Sequence, residues 1–338
     1  MLTYSAEFVE KDEYAFGVAK IRALETRFID EMALNTLVLS EDERFTALFL
    51  EMSGLRSGES MDAARMLDEL EEFFTETFRL VHSLVLEEEM RVLMALPYDY
   101  ELFKLIVKEE KGEVVNIPVS LIERSRFGHG LLKSLLSGGK ALETGETMQR
   151  TYRSLLETKE VSSRDIDVAC DRAYYGEVFQ LLELCGNPFI RDYFIREVDA
   201  VNIVTTLRMK LQGRKRVDLR ARYLEYGSID LSYLEEGFDL NLEGFAGRIQ
   251  FSPFAKLLHE VDKSVDEEEQ VVQIERLLDD AQARYLRESI FVTFGVEPIL
   301  AYLWAKEREL KNLRTILIAK TGKVPPDEIK KHLRGFHG

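Results

Sequence analysis

Apolar residues recur at helical spacing through most of the chain, broken by short polar turns. The clearest segment runs from Glu297 to Lys320, EPILAYLWAKERELKNLRTILIAK, and predicts one long amphipathic helix. A turn and a short proline-initiated helix at Pro325–Pro326–Asp327 follow it. Upstream, the spacing of Phe16, Ile21, Leu24, Phe28, Met32 and Leu34 predicts a helical run over Tyr14–Asn35. Ser40 and Glu43 read as a capping-box start for the next helix, which stops at Gly54. A run from Met61 to Met94 carries the stripe Leu67, Leu70, Phe74 and Phe78, and Pro97 is expected to end it and start the next helix. Further helices are predicted at 118–125, 130–137, 143–158, 164–185 and about 271–291, with Ser162 and Asp165 as a capping start and a break at Asn187–Pro188. No convincing strand is visible.

The long C-terminal pattern has two weaker echoes. A shift of 110 residues towards the N-terminus, then a further 100, carries Leu300 onto Ile190 and Met90, Leu303 onto Tyr193 and Leu93, and Leu313 onto Ile203 and Phe103. The polar positions echo in part. Glu309 and Asn312 fall on Asp199 and Asn202, then on Asp99 and Leu102; Lys320 falls on Lys210, and Arg314 on Val204 and Lys104. Self-similarity at a fixed period is a mark of repeated architecture. Amphipathic helices also share apolar positions in general, so the alignment alone fits three unrelated helices as well. The reading taken is all-α, with three similar helical domains at 1–113, 114–216 and 217–338 in a pseudo-threefold arrangement. A chain of 338 residues is long enough for two or three cores.

Composition narrows the function. With 61 acidic against 45 basic residues the formal net charge is −16, which disfavours nonspecific binding to nucleic acid or anionic lipid. The basic stretch GRKRVDLRAR at 213–222 reads as a solvated connector. Cys170 and Cys185 form no CxxC and fit a reducing cytoplasm. The charged N-terminus lacks the apolar core of a signal peptide, and no apolar run approaches the ~18 residues needed to span a bilayer.

Chemical motifs are sparse. There is no phosphate-cradling GxxxxGK[ST] loop, and Gly138–Gly139–Lys140 reads as a helix-ending turn. Ser137–Lys140 and Lys320–Gly322 match the SxxK and KTG of serine acyl-transferases, but both lie at helix ends and no SDN separates them. The five histidines, His82, His129, His259, His332 and His337, form no zinc-binding spacing. Trp304 sits on the apolar face shared by the three segments and reads as core. No catalytic, cofactor or metal site is therefore expected. A mechanical or scaffolding part is expected instead, with a central concavity able to grip a rod-like partner.

Segment 296–334 resembles the closing helices of the C-type subunits of V-type and A-type rotary ATPases, a family related to the d-type subunit of the vacuolar enzyme. YAFGVAKIRALE resembles that family's first helix, and REVDAVNIVTTLRMK its Asp–Asn–Arg motif, with departures at Leu102 and Val204. The resemblance implies a funnel of three helical domains that seats the central stalk (D- and F-type subunits) on the membrane ring of proteolipid subunits. Such a protein transmits torque and catalyses nothing. It is peripheral on the cytoplasmic side and touches the membrane only through the ring. Tyr98, Asp99, Glu297, Pro298 and Arg314, at helix starts and turns, are then the candidate interface residues, although Arg314 and Asn312 could simply pair within their own unit. On residues alone, an all-helical cytosolic scaffold or adaptor unrelated to rotary enzymes is the rival reading.

Overall fold

The computed structural model describes residues 10–55, 62–140 and 144–334. Among them there are sixteen α-helices, three short 3-10 turns and no strand. The described chain forms two compact units. One is drawn from residues up to Thr77, Pro188–Tyr223 and Gly227 onward; the other comprises Phe78–Asn187 with Leu224–Tyr226.

The smaller unit is built on two long antiparallel helices, α5 (Glu88–Glu110) and α9 (Ser163–Cys185), with α6 (Val119–Arg124), α7 (His129–Ser137) and α8 (Glu146–Glu157) between them. Leu93, Leu96, Phe103, Ile106 and Val107 of α5 meet Ile166, Cys170, Val178 and Leu182 of α9, all 2% exposed or less. Burial pushes the Cys170 thiol up to about 12, leaving it an inert core group at neutral pH. The expected start of α9 is present as a full capping box between Ser162 and Asp165. Gly186 ends the helix in the left-handed region, and α10 opens at Pro188.

Pro97 does not divide a helix as expected; it lies inside α5. The break falls earlier, at 85–87, between α4 (Ala63–Leu84) and α5. An internal proline costs a helix about 3 kcal/mol. Here its ring is exposed while Leu96, Asp99 and Tyr100 beside it are buried, so packing of the flanking turns keeps the helix continuous. Nothing in the local sequence announces the break at 85–87, where neither glycine nor proline occurs.

The larger unit contains two more long helices, α10 (Pro188–Leu211) and α15 (Glu297–Thr321). α14 (Glu267–Arg287) packs along α10. Beside them lie the short α11 (Leu231–Gly237), α12 (Leu242–Arg248) and α13 (Ala255–His259), whose core gathers Ile203, Met209, Ile229, Leu234, Phe245, Phe254, Ile274 and Leu278. Trp304 is half-buried, stacked on Tyr193 at 4.3 Å and edge-on to Phe194 at 5.7 Å. The chain's opening belongs to this unit as α1 (Ala15–Glu25), α2 (Glu31–Leu39) and α3 (Asp42–Ser53). The single run read over Tyr14–Asn35 is therefore two helices, because Asp30 N-caps α2 through the Ala33 amide at 2.7 Å. Ser40 does not start α3. Its hydroxyl bonds back to the Leu37 carbonyl and closes α2, while Glu41 holds the N-cap position of α3. The last helix, α16 (Pro326–Lys331), starts on its proline as expected.

Phe103 is fully buried in the smaller unit and touches the rings of Tyr100 and Tyr152. Replacing it with alanine is expected to cost about 3–5 kcal/mol. The shift of the urea unfolding midpoint of that unit measures it.

Candidate functional site

The three long helices that echo one another in sequence each carry a buried or half-buried acid at the same register, Asp99, Asp199 and Glu309. Each acid receives the backbone N–H of a segment that leads into a short helix. Asp99 accepts from the Ser125 hydroxyl at 2.7 Å, the Arg126 amide at 2.8 Å and the Arg126 Nε at 2.5 Å, just ahead of α7. Asp199 accepts from the Ser228 hydroxyl at 2.5 Å and the Ile229 amide at 3.0 Å, just ahead of α11. Glu309 accepts from the Ile29 amide at 2.9 Å, just ahead of α2, and its other oxygen takes Lys306 Nζ at 2.6 Å. Gly227 is forced by this geometry, since a Cβ there would collide with the Asp199 carboxylate.

Two of the three copies add a basic clamp. Lys210 lies 11 positions after Asp199 and donates to the Leu240 carbonyl at 2.5 Å, past the end of α11. Lys320 lies 11 positions after Glu309 and donates to the Ser40 carbonyl at 2.6 Å, at the end of α2. Eleven residues are three turns, about 16 Å, so acid and lysine share one helix face. The short helix runs parallel to the long one, with negative charge at its N-terminal end and positive charge at its C-terminal end. That is the sense that opposes the helix dipole and meets orphan amide and carbonyl groups. The first copy departs. Glu110 occupies the lysine position and accepts from the Tyr152 hydroxyl at 2.8 Å, while the adjacent Lys111 donates to the Thr158 carbonyl after α8.

Burial raises the pKa of Asp99, and Arg126 and Ser125 oppose it. Burial likewise raises Asp199, opposed by Ser228 and the Ile229 amide. Both side chains are nearly inaccessible to solvent. Elsewhere in the smaller unit the Tyr100 hydroxyl donates to Glu177 at 2.7 Å, and burial raises both groups.

Of the five candidate interface residues, Asp99 belongs to this framework and the other four make separate contacts. Tyr98 is half-buried, edge-on to Phe78 at 5.3 Å, with the Arg124 guanidinium 4.9 Å above its ring. Asp99 is the acid just described. Glu297 and Pro298 are buried in the first turn of α15, where Gly295 makes room for the Glu297 carboxylate. Arg314 forms an ion pair with Glu71 of α4 and keeps 44% of its side chain exposed. Asn312 clasps the segment after α16, donating to the Arg334 carbonyl at 2.7 Å and accepting from its amide at 2.9 Å. The residues that organise the site, Asp199, Lys210, Glu309 and Lys320, are visible in the sequence as echoes. The shared 11-residue interval is the available signal, but their partners lie far along the chain.

The basic stretch 213–222 is exposed apart from buried Leu219 and half-buried Arg222. Among the described residues no group of three or more His, Cys, Asp and Glu could hold a metal ion, and no helix is long and apolar enough to cross a membrane. Met61 and His337 lie outside the described residues.

The sequence matches the family described as ATP synthase (C/AC39) subunit over residues 17–332, and the chain belongs to that family. It is 28% identical over 253 residues to the C-type subunit of the V-type sodium ATPase of Enterococcus hirae, covering 73% of this chain and 75% of that one. It is also 28% identical over 222 residues to the C-type subunit of the A-type ATP synthase of Haloquadratum walsbyi, covering 62% and 64%. To the corresponding A-type ATP synthase protein of Thermococcus onnurineus it is 23% identical over 344 residues, covering 94% and 89%. In the broad sense, then, this is a C-type component of the V- and A-type rotary ATPases.

A carboxylate whose folded pKa is raised above its unfolded value lets the folded state hold its proton longer. The folded state then binds more protons in the window between the two values, so stability falls as pH rises through it. The window opens near the ordinary value of 3.8 and ends at the raised one. Asp199→Asn is expected to flatten the stability-versus-pH curve in that window, as read from urea midpoints between pH 4 and neutrality.

Proposed function

We propose that this chain is the non-catalytic connector of a V/A-type rotary ATPase or ATP synthase. It seats a central stalk of D- and F-type subunits on the proteolipid rotor ring and carries torque between ATP chemistry and ion movement. Family membership over nearly the whole chain is the observation that carries this reading. The mechanics support it. A torque-bearing part must not let its helices slide or fray. Against α10 and α15 the short partner helix is fixed at both ends by charge-assisted hydrogen bonds. Bonds of that kind contribute about 1.5–3 kcal/mol each. Dense aliphatic and aromatic packing resists deformation between them.

The protein works on the cytoplasmic face of the membrane and reaches it through the ring. The division into three repeat units, 1–113, 114–216 and 217–338, is part of this proposal, with α5, α10 and α15 falling one in each. So is the interface: Arg314, with 44% of its side chain exposed, presents charge to a partner, while Glu297 and Pro298 form the start of α15, and Tyr98 and Asp99, mid-way along α5 rather than at a helix start, lie beside the entry to α7.

Tagged full-length chain, recovered from solubilised membranes, is expected to bring stalk and ring subunits with it. Recovery with neither would count against the connector role. Arg314→Glu sets two acids side by side with Glu71, and is expected to reduce ATP-driven ion transport by the assembled complex severalfold. Transport and assembly indistinguishable from wild type would remove Arg314 from the interface.

A further inference from the structure

The larger unit contains two helix pairs on one plan, and they differ in where the chain supplies the second helix. For α10, the clamped groups at Ile229 and Leu240 lie 30 residues downstream of Asp199 and Lys210. For α15, the clamped groups at Ile29 and Ser40 lie 280 residues upstream of Glu309 and Lys320. Acid and lysine advance together by 110 between the copies, and both partners retreat together by 200. Agreement at both ends fixes the register. The local sequences agree too: Ser228–Ile229–Asp230 precedes α11, and Phe28–Ile29–Asp30 precedes α2. After α15 only the short α16 is described, so the helix that follows α10 in sequence has its counterpart at the beginning of the chain.

We propose that the third repeat is composite: an N-terminal arm, α1–α2, docks onto α15 and closes it, and this docking is a separable step. The arm brings its own apolar face, with Val18, Ile21, Leu34, Leu37 and Val38 all 5% exposed or less. It is tethered at its start by Lys11, whose amide donates to the Phe294 carbonyl at 2.9 Å, and by Arg22, which donates to the Ser289 carbonyl at 2.8 Å. The acid of the α15 clasp has a cation partner on its own helix. Glu309 pairs with Lys306 on α15 itself, one turn earlier, a contact that survives when the arm is away. The equivalent cation on α10, Arg196, stands over the Tyr285 ring at 4.5 Å and also lowers the pKa of Asp199, which takes the Ser228 hydroxyl and the Ile229 amide of the following loop. In the α15 copy Phe28 takes the place of that serine and lies under the Lys306 ammonium at 4.9 Å. α15 can therefore form with its carboxylate already neutralised, and the arm adds one amide, one ring and one lysine–carbonyl bond. Closure joins segments 280 residues apart in the sequence. Docking of the arm is independent of the rotary role.

Hydrogen exchange of the full-length chain, read by mass spectrometry, tests it. Lys320→Met is expected to lower protection across 29–40 about tenfold or more and leave 229–240 unchanged. Lys210→Met is expected to do the reverse, and Lys320→Arg to keep protection at 29–40. In the wild type, 29–40 is expected to exchange faster than 309–318. Loss shared equally by 29–40 and 229–240 in Lys320→Met, or no loss at 29–40, would overturn the composite repeat. Equal wild-type exchange of 29–40 and 309–318 through one common opening would overturn docking as a separate step.

Discussion

The structure depends on giving charged partners to the ends of short helices inside a protein core. A short helix has few internal hydrogen bonds and many orphan groups, so alone it is marginal. Here Asp199 and Glu309 meet the chain entering α11 and α2, and Lys210 and Lys320 meet the chain leaving them. The long helix thereby becomes a ruler whose length sets the length of its partner. Removing either end would leave a buried amide, carbonyl or charge without its partner, and such groups cost more than an ordinary bond contributes.

The acids are costly residues to bury, and the raised pKa of Asp99 and Asp199 expresses that cost. Each is offset by several donors converging on one carboxylate, including a serine hydroxyl in both cases. Glu309 has the longer side chain and a lysine neighbour, and so stands closer to an ion pair than to a solvated cap. The same position in three helices thus solves one packing problem by two chemistries. In the first copy the basic half of the device is lost, and Glu110 turns to a tyrosine instead.

In this rotary-ATPase component, charged clamps hold the short helices against α10 and α15. Aromatic stacking at Trp304 braces the last long helix, and the Asn312 clasp on Arg334 holds the segment after α16 against it. Under the proposed role such a helix passes load without bending, because each turn is braced by a neighbour.

Much of this was legible in the residues. The all-α class, the long helix from Glu297, the capping box at Ser162, the break at Asn187–Pro188 and the family resemblance all follow from local spacing, capping chemistry and motif, which act over a few residues. Three matters were decided only by tertiary structure. Pro97 stays inside a helix because its flanking turns are buried. The helix over Tyr14–Asn35 divides because Asp30 caps a second helix whose entry is held by Glu309, 280 residues away. The acids at 99, 199 and 309 acquire their roles from donors that meet them only after folding. Periodicity records which face of a helix is apolar; it carries no information on which distant amide will meet an acid on that face.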